Sequence, residues 1–258
     1  MFKKIISANN PDQLLRNNLE KLSAKYIELA RIQTYPCDQN NFVYIGKNEC
    51  QLTSAIVSLF LELTNNTGLN IYYEDHVFVQ VLQTDGVYYF DMTYKQYLID
   101  SLLLSKYYVL TNQSTDDYYD NYGPPYPSDK QIVILKNYVN SINTLPSFLF
   151  MKKNAFFEYL NVQRIAYNDF LKKLSPDYFK NLLKPFTKKS LISRFLNSDK
   201  NVKSLQTDIV NLRSFIKFYQ NKPLKPDDYQ TLTNYGSVAL LKLLPVIFLE
   251  ITGINCEF

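Results

Sequence analysis

The chain has 258 residues, 46% of them hydrophobic, enough for one large or two small folded domains with a substantial core. Three irregularly spaced cysteines, Cys37, Cys50 and Cys256, make neither a disulfide framework nor a cysteine zinc cluster, and one histidine, His76, cannot build a familiar zinc site. The net charge of +4 hides an asymmetry: residues 1–149 hold 11 Lys and Arg against 15 Asp and Glu, a balance of −4, whereas residues 150–258 hold 17 against 9, a balance of +8.

The N-terminal MFKKIISANN has an apolar run too short for a cleaved signal peptide. A cytoplasmic protein, or one secreted by a specialised system into a host cell, is therefore expected. From Pro11 to about Gln33, Leu14, Leu15, Leu19, Leu22, Tyr26, Leu29 and Ile32 recur near the helical period, with Asn10 and Pro11 as N-cap and first-turn residues. This predicts an amphipathic helix. A polar connector with Pro36 and Asp38 and a short apolar FVYIG lead to a second helix. There Leu52, Ala55, Ile56, Leu59, Phe60 and Leu63 share a helical spacing, Asn48 is a candidate cap and Gly68 a candidate stop. Cys50 falls in its first turn.

HVFVQVLQ and VYYFDMT, parted by TDG, read as two antiparallel strands. In such a pair the indices of opposed residues have a constant sum. A two-residue Asp85–Gly86 turn sets it at 171 and leaves Asp91 about 13 Å along the strand from His76. A four-residue loop, Gln83 to Gly86 closed by Leu82 and Val87, sets it at 169, puts Asp91 opposite Phe78 and shortens the diagonal to about 7 Å, within side-chain reach. A contact between His76 and Asp91 requires the second register.

Beyond residue 98 an apolar YLIDSLLLSKYYVL and a Pro-rich surface loop, TNQSTDDYYDNYGPPYPSD, precede KQIVILKNYV, a strand or a short helix. After about residue 150 the pattern is helical. Ser175-Pro176-Asp177 opens one helix, and Val202, Leu205, Ile209, Leu212, Ile216 and Tyr219 form an amphipathic stripe. The apolar VALLKLLPVIFLEI, at 238–251, is shorter than the ~20 residues of a spanning helix and contains Lys242, Pro245 and Glu250. It predicts a buried helix and no transmembrane segment.

Cys50, His76 and Asp91 carry complementary chemistry. A helix N-terminus presents unpaired N–H groups and a positive dipole end to a thiolate; imidazole takes and returns its proton; a carboxylate fixes the imidazole tautomer. The order and context, carried by GKNECQLTSAIVSLFLEL, HVFVQV and DGVYYFDMTYKQY, resemble the papain-like, transglutaminase-like superfamily of cysteine enzymes. DMTYKQY is similar to the D-x-T-x-x-Q-[FY] run of bacterial members, among them effectors and toxins that deamidate or cross-link glutamine side chains. The resemblance implies Cys50 as nucleophile, His76 as base and Asp91 as its orienter, with Thr93 and Gln96 in support. The backbone N–H of Cys50, with Asn48 or Gln51, is the candidate oxyanion site. Cys37, beside Pro36, is the rival nucleophile.

The expected fold class is α+β. A papain-like catalytic core at 1–149, with the Cys-bearing helix packed on an antiparallel sheet, is followed at 150–258 by a basic helical region that completes the fold or docks the substrate. The expected function is a cysteine-dependent acyl transfer on amides of a protein substrate, a host protein included: glutamine deamidation or transglutamination first, protease or isopeptidase cleavage second. A reading of another class is a non-enzymatic effector whose basic half binds an acidic protein or membrane surface. No phosphate-cradling glycine motif is present, so no nucleotide cofactor and no nucleic-acid partner are expected. The remaining metal candidate is the carboxylate set Glu74, Asp75 and Asp85.

Overall fold

The computed structural model describes residues 10–33, 49–73, 76–99, 103, 107, 110, 114–122, 126–174 and 236–255. Its architecture is α+β, with helices on both faces of a four-stranded antiparallel sheet. In chain order the elements are α1 (Pro11–Gln33), α2 (Cys50–Leu63), β1 (Gly68–Tyr73), β2 (His76–Gln83) and β3 (Gly86–Asp91). A single 3-10 turn, Tyr94–Tyr97, precedes α3 (Thr115–Tyr122), α4 (Asp129–Asn143), β4 (Leu149–Lys152), α5 (Lys153–Leu174) and α6 (Gly236–Thr252).

The strands lie side by side in the order β1-β2-β3-β4. Alternation sorts their side chains. Val79, Val81 and Phe90 turn to one face and pack with Leu15, Leu19, Leu22 and Tyr26 of α1, most of α2, and Leu240, Leu244, Ile247 and Phe248 of α6. Phe78, Tyr89 and Leu149 turn to the other and pack with Leu135, Val139 and Ile142 of α4, Phe156 and Leu160 of α5, and Tyr94, Leu103 and Tyr107. At ~1.5–3 kcal/mol for each large side chain buried, these two layers are the main driving force for the fold. Because α2 lies between the sheet and the α1–α6 pair, Thr53 to Leu61 are buried all round it.

The 169 register is present: Val79 pairs with Phe90 and Gln83 with Gly86. The connection differs from the expected four-residue loop, since the strands run on to a two-residue turn, Thr84–Asp85. Its polar groups are satisfied from outside the hairpin. The Thr84 N–H donates to Asp12 Oδ2 at 3.1 Å, the Thr84 hydroxyl donates to the same oxygen, and Arg16 donates to Gln83 Oε1 at 2.7 Å. The first turns of α1 therefore hold the hairpin tip, and Gly86 takes the positive φ of 137° with which β3 begins.

Other local expectations are corrected. α2 stops at Leu63 rather than at Gly68. Asn65 adopts φ 58°, its N–H donates to Glu62 O at 3.0 Å and that of Asn66 to Leu61 O at 2.8 Å, a Schellman closure. Gly68 instead opens β1, whose pairing with β2 was not expected. KQIVILKNYV is helical, within α4: Ser128 caps it, its Oγ accepting from the Gln131 N–H while Gln131 Oε1 accepts from the Ser128 N–H. Part of the expected surface loop forms α3. β4 spans the 149/150 division drawn from the sequence, and α5 packs on β3 and β4, so residues on both sides of that division share one sheet.

The apolar run at 238–251 is helical, within α6; its Leu240, Leu244 and Phe248 are buried while Val246 and Leu249 are exposed. No helix among the described residues is long and apolar enough to cross a membrane. The helix opened by Ser175 and the 202–219 stripe lie outside the described residues.

Candidate functional site

His76 opens β2 and Asp91 closes β3. Continued past Val79–Phe90, the register sets Asp91 across from Phe78, on the sheet face that His76 shares. There His76 Nε2 lies 2.5 Å from Asp91 Oδ2, with both residues almost fully buried. Asp91 Oδ1 is taken up separately, accepting from the Thr93 N–H at 2.8 Å and the Thr93 hydroxyl at 3.1 Å. Three buried polar atoms are thus satisfied by one carboxylate, which fixes its plane and hence the direction in which it meets the imidazole.

The ring is fixed from its sides as well. Tyr97 meets it edge to face at 4.5 Å between centroids and Phe78 lies at 6.1 Å. The amide nitrogen of Gln96 contacts Nδ1, the ring nitrogen that Asp91 leaves over. With the proton of a neutral imidazole held on Nε2 by the carboxylate, Nδ1 carries the lone pair.

Cys50 is the first residue of α2, buried, and a free thiol. Its thiol lies near enough to His76 to raise the pKa of the imidazole. Burial alone drives the imidazole towards neutrality, but the charge and hydrogen bond of Asp91, and after them those of Cys50, outweigh it and raise the His76 pKa from 6.5 to about 9. An imidazole, a carboxylate and a thiol therefore lie together in one buried place.

Of the residues singled out in the sequence, Cys50, His76, Asp91, Thr93 and Gln96 come together. Gln51 is exposed on α2, whereas Asn48, Cys37 and Cys256 lie outside the described residues. Glu49, not Asn48, stands at the N-cap of α2 and makes no side-chain cap bond. Glu49 was missed: it is 7% exposed, directly before Cys50, and its Oε2 accepts from the Tyr26 hydroxyl of α1 at 2.6 Å. The sequence carried a weak signal for it, an acidic residue beside the Cys and a Tyr within the apolar stripe of α1. Tyr97 was missed too, because nothing in YKQY tells which aromatic ring turns inward.

Among the described residues no group of three His, Cys, Asp or Glu side chains is arranged to hold a metal ion. Asp85, one of the three carboxylates considered, pairs instead with Lys152 at 3.0 Å, while Glu74 and Asp75 lie outside the described residues. No family model matches the chain, and neither the curated proteins nor the solved structures return a match.

Proposed function

We propose that the protein is a cysteine-dependent acyl-transfer enzyme with a papain-like, transglutaminase-like core, acting on an amide of a protein substrate. Cys50 is the nucleophile, His76 the acid and base, and Asp91 the group that orients the imidazole. The observation that carries this reading is the buried His76–Asp91 contact, with the Cys50 thiol acting on the same ring from the start of a helix. A structural core histidine needs neither a dedicated carboxylate nor a thiol neighbour.

In the proposed cycle the Cys50 sulfur attacks as a thiolate whose proton His76 already holds, and forms a bond to the amide carbonyl carbon. The imidazolium then protonates the departing nitrogen as the C–N bond breaks, leaving a thioester. Water or an amine attacks the thioester, giving up a proton through His76 and restoring the thiol. Release of ammonia from glutamine followed by water is deamidation; followed by a lysine amine it is transglutamination. We favour these two through the DMTYKQY resemblance, on a host protein met by a secreted effector.

Alkylation tests the class. Iodoacetamide at pH 6–7 labels Cys50 much faster than Cys37 and Cys256, and His76→Ala removes that advantage; equal, slow labelling of all three cysteines refutes the triad. Intact mass of a candidate substrate then separates the chemistries: deamidation adds about one mass unit, whereas a protease yields fragments.

A further inference from the structure

A cavity of about 300 Å³ opens beside the candidate site, lined by Tyr73, Tyr97, Phe157, Leu160, Asn161 and Arg164. It is joined to His76 by two walls. Tyr97 is the ring that meets the imidazole edge to face, and Tyr73 is the β1 residue paired with His76 across the β1–β2 ladder. Tyr73 and Phe157 pack ring to ring at 5.1 Å, and the Tyr97 hydroxyl donates to the Tyr73 carbonyl at 3.4 Å, which closes the aromatic side.

The mouth has another character. Asn161 and Arg164 are one turn apart on α5 and both exposed. Exposed Val162 and Ile165, at 54% and 52%, flank them on the same helix. An aromatic interior of this size fits one large apolar side chain; a guanidinium at the rim fits a carboxylate; exposed aliphatic residues beside it fit a polypeptide rather than a small metabolite.

Resting on the catalytic reading above, we infer that this cavity is the substrate-recognition subsite, taking an aromatic or large aliphatic side chain next to an acidic residue of the substrate polypeptide, with the acid paired to Arg164. The substrate class is then a protein segment in which the target amide lies close to an apolar–acidic pair, which complements the basic character of residues 150–258.

Four haloacetamides sharing one warhead test it: iodoacetamide, N-phenyl iodoacetamide, 4-(iodoacetamido)benzoate and 4-(iodoacetamido)-N,N,N-trimethylanilinium. In each the sulfur of Cys50, its proton held by His76, forms a bond to the methylene carbon as iodide leaves. Rates at Cys50, located by peptide mapping, are divided by those with N-acetylcysteine to remove intrinsic reactivity. The ring is expected to raise the normalised rate about tenfold over iodoacetamide by entering the aromatic cavity. The carboxylate is expected to add roughly threefold and the cation to subtract a similar factor, the range of an exposed charge pair. Arg164→Glu inverts the order of benzoate and anilinium, and Arg164→Lys keeps it.

Fast, His76-dependent alkylation by iodoacetamide with no gain from the ring or its charge overturns the subsite and leaves the catalytic reading standing. An unchanged benzoate-to-anilinium order in Arg164→Glu overturns the role of Arg164. Slow labelling of Cys50 by all four reagents overturns the catalytic reading, and the subsite with it.

Discussion

Asp91→Asn keeps the shape of the side chain that meets His76 and removes its charge. In the wild type the imidazole pKa is lifted from 6.5 in the unfolded chain to about 9 in the folded one. At ~1.4 kcal/mol per pH unit this is about 3 kcal/mol of stability. The folded state holds its proton more tightly, so the contribution is complete below pH 6.5 and disappears as the pH rises through 9. Without the carboxylate charge, burial dominates and His76 folds neutral. Asp91→Asn should therefore cost about 3 kcal/mol more at pH 6 than at pH 9.5. The difference isolates this ion pair, because other titrations are common to wild type and variant, and any weakening of the Thr93 hydrogen bonds in the variant is the same at both pH values. Urea unfolding followed by far-UV circular dichroism, in reducing buffer, measures it in a chain that has no Trp to report by fluorescence. An equal loss at the two pH values would refute a charged imidazole held by Asp91.

Three further variants probe how the site is held. Gly68→Ala places a methyl 2.5 Å from Leu61 Cδ1 and 3.1 Å from Val79 Cγ1, between α2 and the sheet; a loss of about 1–3 kcal/mol in urea unfolding is expected, and a neutral result would show that α2 can move off the sheet. Tyr26→Phe takes a hydroxyl donor from the buried carboxylate of Glu49; the expected cost is about 1.5–3 kcal/mol, with a lower midpoint in thermal unfolding, and an unchanged midpoint would mean that the bond adds nothing. Phe78→Ala opens a void against Tyr89 and Phe156, whose rings lie at 5.0 and 4.7 Å, and takes one neighbour from the His76 ring; about 3–5 kcal/mol should be lost, together with Cys50 alkylation at temperatures where the variant is still folded.

The site was legible where local pattern and chemistry pointed the same way. The strand alternation of HVFVQVLQ and VYYFDMT, joined to the demand that His76 reach Asp91, selected the 169 register that the strands adopt. The loop length was misread because the 169 register fits both a four-residue loop and a tighter one inside it: Gln83 pairs with Gly86, Thr84 and Asp85 make the turn, and Asp12 of α1 satisfies it. That partner is 72 residues away, beyond any local rule. α4 was ambiguous only while its hydrophobic run was weighed alone; S-D-K-Q at 128–131 spells the capping box that the helix forms. β4 gave little signal: four residues, one of them a lysine, are strand only because β3 offers them an edge. Glu49 and Tyr97 were hidden for the same reason, since their roles come from packing rather than from spacing.

The position of α6 has a consequence for the order of events in synthesis. It packs on α1 and α2, completing the layer that carries Cys50, yet it begins at Gly236, whereas α2 ends at Leu63. A ribosome adding roughly 5–20 residues per second needs on the order of ten to thirty seconds to cover that interval. Throughout it the hairpin bearing His76 and Asp91 is already available to pair, while the helix that begins at Cys50 still lacks its outer cover. The three chemical groups are neighbours in space but separated in time, and the final packing of the helix that carries Cys50 waits on a segment made long after it.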